Sequence, residues 1–193
     1  MNIQHINIKF FIENSEAVNL ADFAAVFNTW IQQQRLEELL IDVADYLHVH
    51  HGPGVMLIGH EADYSLDQRA GRLGLLYNRK EQLEGTAQEK LAQAVRAALT
   101  AAQILEKENG LKFSGSEVQV IVNDRLLVPN TSETFAALEP EVQAFFDKLY
   151  CGEEYTLAHY DNPRERFTIN VKAGSAFDVD TLLKNLAVET AHA

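Results

Sequence analysis

Histidine and carboxylate side chains are concentrated in two neighbouring stretches of the chain. His48 and His50 lie in the first stretch, and Glu61 and Asp63 lie in the second. Neutral imidazole and carboxylate oxygen are ligands that Zn²⁺, Mn²⁺ and Fe²⁺ accept. The same groups can act as general acid and general base. These four residues are therefore candidate metal ligands, and together with Tyr46 they are candidate ligand-binding residues.

Whether the histidines and the carboxylates lie close together depends on how two predicted strands pair. The patterns of residues 39–49 and 55–64 predict strands, and the sequence His-Gly-Pro-Gly at 51–54 is typical of a type II turn. We therefore predict a hairpin. A register that places even-numbered residues opposite odd-numbered residues would bring the histidines and the carboxylates to one face of that hairpin.

Three interpretations of this face remain open. In the first, it is the solvent-facing side of an antiparallel sheet, where polar side chains are common. In the second, His48, His50, Glu61 and Asp63 bind a divalent metal ion such as zinc, manganese or iron. In the third, the same face, including Tyr46, forms a pocket for a small molecule. The spacing of these residues matches no specific metal-binding motif.

Further strands follow the hairpin and precede it. Alternating apolar residues predict them at 5–12, 72–79 and 117–124, with two more on either side of a turn at 161–164. Three arginines, Arg69, Arg72 and Arg79, surround the strand after the hairpin. We expect one or more of them to form a surface ion pair with Glu61, Asp63 or Asp67.

Helices are predicted between these strands from apolar stripes of period 3.6. The clearest one opens with a capping box formed by Thr86 and Glu89 and ends at Gly110. A helical region at 131–150 contains Pro140, which is predicted to split it into two pieces.

The order of elements predicts an α+β protein with an antiparallel sheet covered by helices. We interpret the 193 residues as a single compact domain with two structural halves, 1–110 and 111–193. The halves share the order of a β-α-β-β unit followed by a helix, with an additional strand in the first half. An internal duplication with a pseudo-twofold axis would explain this order.

Composition restricts the environment and the partners of the chain. Hydrophobic residues make up 47% of the sequence and charged residues 23%, as in folded proteins. The net charge of -12 argues against nucleic acid and anionic membranes as partners, because both would repel the protein. A single cysteine, Cys151, and the lack of an apolar leader or of a long apolar stretch indicate a cytoplasmic protein.

Three classes of function follow from these observations. In element order, the predicted units are similar to the effector-binding domains of the gyrase-inhibitor-like group, and this similarity implies a small-molecule-binding module with its ligand on a concave sheet face. The alternative is a metal-dependent hydrolase, lyase or isomerase that uses the histidines and carboxylates of the hairpin. A third class is a structural or interaction protein that acts as a homodimer through a sheet edge or a helix face.

Overall fold

A computed structural model describes residues 2–50 and 52–190, except for the side chains of residues 188–190. Eight strands and four helices lie in this part of the chain. The strands are β1 (Ile6–Ile12), β2 (Leu40–Asp45), β3 (Val55–Gly59), β4 (Ala62–Asp67), β5 (Gly74–Arg79), β6 (Phe113–Val122), β7 (Tyr155–His159) and β8 (Phe167–Ala173). The helices are α1 (Phe23–Gln33), α2 (Ala87–Asn109), α3 (Ser132–Leu149) and α4 (Val179–Thr190).

The eight strands form one antiparallel sheet with the order β2-β3-β4-β5-β1-β6-β8-β7. β1 lies near the middle, where it pairs with β5 on one side and with β6 on the other. β2 and β7 are the two edge strands. Strands from both predicted halves of the chain therefore belong to the same sheet.

The hydrophobic core lies between one face of the sheet and the helices. Alternate strand residues, such as Ile8 in β1 and Val120 in β6, point into this core because side chains two apart share a face. All four helices contribute apolar side chains to the same core, for example Phe27 of α1 and Leu99 of α2. This arrangement confirms the predicted α+β class.

Helix α2 forms where the sequence predicts it. The side chain of Thr86 accepts a hydrogen bond from the backbone N–H of Glu89, and the carboxylate of Glu89 accepts one from the backbone N–H of Thr86. The helix ends at Gly110, which has a φ of 68°. The capping box and the glycine satisfy the backbone groups that an isolated helix leaves unpaired at its ends.

The hairpin formed by β2 and β3 is confirmed, but its strands are shorter than predicted. The first strand ends at Asp45, and the segment that follows it is a loop in which Tyr46 donates a backbone hydrogen bond to the carbonyl of Gly54. His51, in the predicted turn, lies outside the described residues. The strand predicted at 55–64 is wrong, because the chain reverses after Gly59 and returns as β4.

Helix α3 contradicts the prediction that Pro140 splits this region. The helix is continuous, and Pro140 lies inside it. Proline in a helix interior costs roughly 3 kcal/mol. Leu138 and Val142, on either side of the proline, and Phe145 are buried, and a buried side chain of this kind contributes roughly 1.5–3 kcal/mol. The burial of this stripe outweighs the cost of the proline.

The duplication and the division into halves at 110 stay predictions. β1 and β6, the first strands of the two halves, are neighbours in the sheet.

None of the helices in residues 2–50 and 52–190 has the length and the apolar composition that crossing a bilayer requires. The cytoplasmic location also stays a prediction.

Candidate functional site

The residues predicted from the hairpin lie at opposite ends of β3. His48 and His50 belong to the loop after β2, at the end of the hairpin where Asp45 pairs with Val55. Glu61 lies in the turn between β3 and β4, beyond Gly59 at the other end. A strand rises about 3.3 Å per residue, so the five residues of β3 separate the two groups by roughly 15 Å.

The predicted site residues lie in different local environments in the structure. Tyr46 stacks on His48, with ring centroids 6.4 Å apart. Glu61 accepts a hydrogen bond from Nη1 of Arg79 at 2.8 Å, which is one of the alternative ion pairs expected from the sequence. Asp63 lies in β4 and forms an ion pair with Lys80, whose Nζ is 2.7 Å from Oδ1.

The four-residue metal site is not assembled in this structure. Across the described residues, no group of three or more His, Cys, Asp or Glu side chains is placed to hold a metal ion. The physical reason is the register of the hairpin, in which Asp45 pairs with Val55 and Leu40 pairs with Gly59. The histidines follow Asp45 at one end of the hairpin, whereas Glu61 and Asp63 lie near Gly59 at the other end.

An open groove of about 1730 Å³ runs along α2 on the helix-covered side of the sheet. Its walls come from the first half of α2 and from the segment between α1 and β2. Strands β4 and β5 contribute to its inner end. The lining includes polar side chains from all of these elements, among them Glu38, Glu61, Tyr64, Arg79, Lys90 and Gln93. Glu61 is the residue of the predicted set that lines the groove.

Glu38 and Tyr64 form a hydrogen-bonded pair on the groove lining. The phenol of Tyr64 donates a hydrogen bond of 2.5 Å to Oε1 of Glu38. The second carboxylate oxygen of Glu38 accepts the backbone N–H of Ala62 at 2.9 Å. The backbone at the start of β4 therefore fixes the carboxylate, and the carboxylate fixes the tyrosine.

Burial changes the proton affinity of both partners. Loss of solvent raises the pKa of Glu38, although the hydrogen bonds from Tyr64 and Ala62 act in the opposite direction. Burial also raises the pKa of Tyr64, and the negative charge of Glu38 raises it further. The phenol therefore stays protonated at neutral pH, while the carboxyl takes up a proton more readily than an exposed glutamate.

A second, buried tyrosine packs against Tyr64. The rings of Tyr64 and Tyr77 meet edge to face with centroids 5.3 Å apart. Gln93, from α2, donates to the hydroxyl of Tyr77 at 3.0 Å. Arg79 is held by Glu61 and by the carbonyl of Glu81, to which its Nε donates at 3.0 Å. The groove lining offers the carboxyl of Glu38, the phenol of Tyr64, the amide of Gln93 and the guanidinium of Arg79 to a molecule in the groove.

Substitution of Glu38 is expected to change how stability depends on pH. Between the ordinary glutamate pKa of 4.5 and the raised pKa of folded Glu38, the folded state binds more protons than the unfolded state. The contribution of Glu38 to stability is therefore complete below that window and is lost as the pH rises through it. We expect the wild-type protein to gain stability relative to Glu38→Gln on acidification from about pH 8 to about pH 5.

Urea unfolding of both proteins across this pH range measures the effect. Glu37→Gln is the matched control, because Glu37 is exposed on the same segment and makes the same change of charge. A wild-type curve that runs parallel to that of Glu38→Gln at every pH would contradict the raised pKa.

The sequence contained no clear signal for the Glu38 and Tyr64 pair. Glu38 lies in a short acidic segment before β2, which has the appearance of a solvated loop. Its contact with Tyr64 spans 26 positions and depends on the pairing of β3 with β4. Only the reversal after Gly59 brings the tyrosine to the core-facing side beside this carboxylate.

The fold defines a two-layer α+β protein in which one antiparallel sheet is covered on one face by four helices of the described chain. Comparison with protein-family models, with curated proteins and with solved structures finds no match to this chain. The similarity to gyrase-inhibitor-like effector domains therefore stays one of predicted element order.

Proposed function

We propose that the protein binds a small polar organic molecule at the inner end of the groove along α2. The observation that carries this proposal is the pair formed by Glu38 and Tyr64, a partly desolvated carboxylate fixed beside a phenol on the groove lining. Binding sites commonly combine a concave apolar surface with a few fixed polar groups of this kind.

The carboxylate retains capacity for a ligand. An ionised carboxylate offers about four lone-pair sites, and Tyr64 and the backbone of Ala62 occupy two of them. Both partners are already held in place, so a ligand that donates to Glu38 does not have to order the side chain. This preorganisation reduces the entropic cost of binding.

The side chains that line the groove also favour a ligand-binding function over that of a metal-dependent enzyme. Two carboxylates of its inner end, Glu38 and Glu61, are engaged by Tyr64 and by Arg79 respectively. No imidazole of the predicted set lines the groove. A hydrolase, lyase or isomerase that depends on His48 and His50 has no supporting geometry in the described residues.

A ligand screen by thermal shift tests the proposal. A panel of small amines, amides, polyols and nucleosides is added to the wild-type protein, and a ligand at about one hundred times its dissociation constant stabilises the folded state by about 2.7 kcal/mol. Compounds that raise the melting temperature are then titrated calorimetrically against Glu38→Gln and Tyr64→Phe.

We expect each substitution to weaken binding by roughly 10-fold to 100-fold, because a hydrogen bond to a charged group contributes about 1.5–3 kcal/mol. Glu16→Gln should bind as tightly as the wild type, because Glu16 is exposed and does not line the groove. The proposal fails if no compound binds, or if the compounds that bind are insensitive to both substitutions in the groove.

A further inference from the structure

A set of apolar side chains is exposed at and beyond the edge strand β2. We call it the β2 patch, and its members, between 38% and 63% exposed, are Leu39, Ile41, Tyr46, Leu47 and Val49. The loop part is ordered by backbone hydrogen bonds, since Leu47 donates to the carboxylate of Asp45 and Val49 donates to the carbonyl of Tyr46. An ordered apolar surface of this kind is typical of an interaction site.

A second exposed apolar set lies at the end of the other edge strand. We call it the β7 patch, and it consists of Leu126, Leu127 and Tyr160, which are 88%, 63% and 78% exposed. Tyr160 directly follows β7. Asn130, which is buried, donates to the carbonyl of Tyr160 at 3.0 Å and joins the two parts of the patch.

The leucines of the β7 patch are held outward by their own turn. The carboxylate of Asp124 accepts the backbone N–H of Leu127 at 3.1 Å, and the carbonyl of Asp124 accepts that of Val128 at 2.9 Å. Val128 is 1% exposed and anchors the end of the turn in the core. The exposure of Leu126 and Leu127 is therefore a fixed feature of the fold.

The two patches differ in charge. Residues 37–50, which carry the β2 patch, contain four acids and no lysine or arginine. Residues 123–130 and 160–166, which carry the β7 patch, contain three acids and three arginines. Arg125 and Arg164 are exposed there, and in the described chain no carboxylate lies within ion-pair distance of either one. Contact between two β2 patches would oppose like charges, whereas contact between the β2 and β7 patches would not.

The backbone at β2 is protected against the addition of another strand. The carboxylate of Asp42 accepts the backbone N–H of Val43 at 2.8 Å, and the register with β3 shifts between Leu40 and Asp42. An irregular register is a known device that prevents sheet edges from pairing, and the bond to Asp42 occupies the N–H of Val43. A partner of the β2 patch therefore binds through side chains.

We propose that the β2 patch of one copy of this chain binds the β7 patch of the next copy. Strands in a sheet are about 4.8 Å apart, so the edge strands of one molecule are separated by roughly 34 Å and cannot bind each other. The contact joins two different surfaces, and repeated head-to-tail contacts produce a closed ring or an open chain.

Sedimentation or light scattering over a concentration series tests this contact. We expect the average mass of the wild-type protein to rise above the monomer mass of 21.7 kDa with concentration. Two variants each remove one surface, Leu47→Asp with Val49→Asp and Leu126→Asp with Leu127→Asp. Each should remain monomeric alone, and an equimolar mixture of the two should form a complex of about twice the monomer mass, because each retains the surface that the other lacks.

Ala136→Asp with Ala137→Asp is the matched control, since both alanines are exposed on α3 and the change of charge is the same. This control should associate as the wild type does, and the unfolding midpoints of all variants establish that they are folded. A wild-type protein that is monomeric at the highest concentration overturns the proposal. So does association of either patch variant alone, which would indicate contact between identical surfaces, or a mixture that stays monomeric.

Discussion

Asp67→Ala should destabilise the protein by about 3–5 kcal/mol, because it leaves the charge of Lys9 buried without its counter-ion. Lys9 and Asp67 are each 2% exposed, and Nζ lies 2.7 Å from Oδ2. Nζ also donates to the carbonyl of Arg72 at 2.7 Å. Burial lowers the pKa of Lys9 against the opposing effect of Asp67, so removal of the carboxylate leaves the desolvation of the ammonium uncompensated.

Urea unfolding measures this loss, with Glu13→Ala as the matched control. Glu13 pairs with Lys112 at 3.5 Å, but these side chains are 46% and 73% exposed, and such a surface pair contributes about 0–1 kcal/mol. The double variant Lys9→Met with Asp67→Leu should recover most of the stability, since it removes both buried charges. Equal losses in Asp67→Ala and Glu13→Ala would show that the buried pair has no special role.

The loss should extend to the segment that Lys9 holds. Its ammonium contacts the carbonyl of Arg72, and Asp67 also accepts the backbone N–H of Arg69 at 3.2 Å. These bonds tie residues 68–73 to the face of the sheet opposite the helices. Amide hydrogen exchange in this segment should therefore accelerate more in Asp67→Ala than in the control.

Local patterns in the sequence were sufficient for most of the fold. The alternation of apolar residues in β1 and β6 and the capping box of α2 depend on neighbouring residues only, and the structure confirms them. Pro140 shows the limit of a local rule, because the cost of one proline is smaller than the burial of the helix face around it.

The candidate site could not be predicted because it depends on one change of parity. Leu57 in β3 faces the core, and a continuous strand would place Glu61 and Asp63 on the same side as Leu57. The reversal at His60 shifts the alternation, so that Tyr64 pairs with Leu57 and faces the core instead. A turn of two residues without a proline or an Asn-Gly signal gives little warning in the sequence. It places the side chains of β4 on the faces opposite to those that a continuous strand would give them.

Gly54→Ala should cost about 2–5 kcal/mol, as the sum of an unfavourable backbone conformation and a collision with β4. Gly54 has a φ of 66°, and a Cβ at this position would collide with the carbonyl oxygen of Leu66. That carbonyl belongs to β4, where Leu66 pairs with Leu75, so it cannot move away without disturbing the sheet. The close approach of two backbone segments therefore requires glycine here.

Gly71→Ala separates the two contributions. Gly71 has a similar φ of 71°, but a Cβ added there would meet no atom within 4 Å, so this substitution tests the backbone conformation alone. It should cost about 1–2 kcal/mol. Thermal and urea unfolding of both variants give the comparison. If Gly54→Ala loses no more stability than Gly71→Ala, the loop before β3 adjusts to a side chain, and the end of the hairpin that carries the β2 patch is less rigid than its hydrogen bonds indicate.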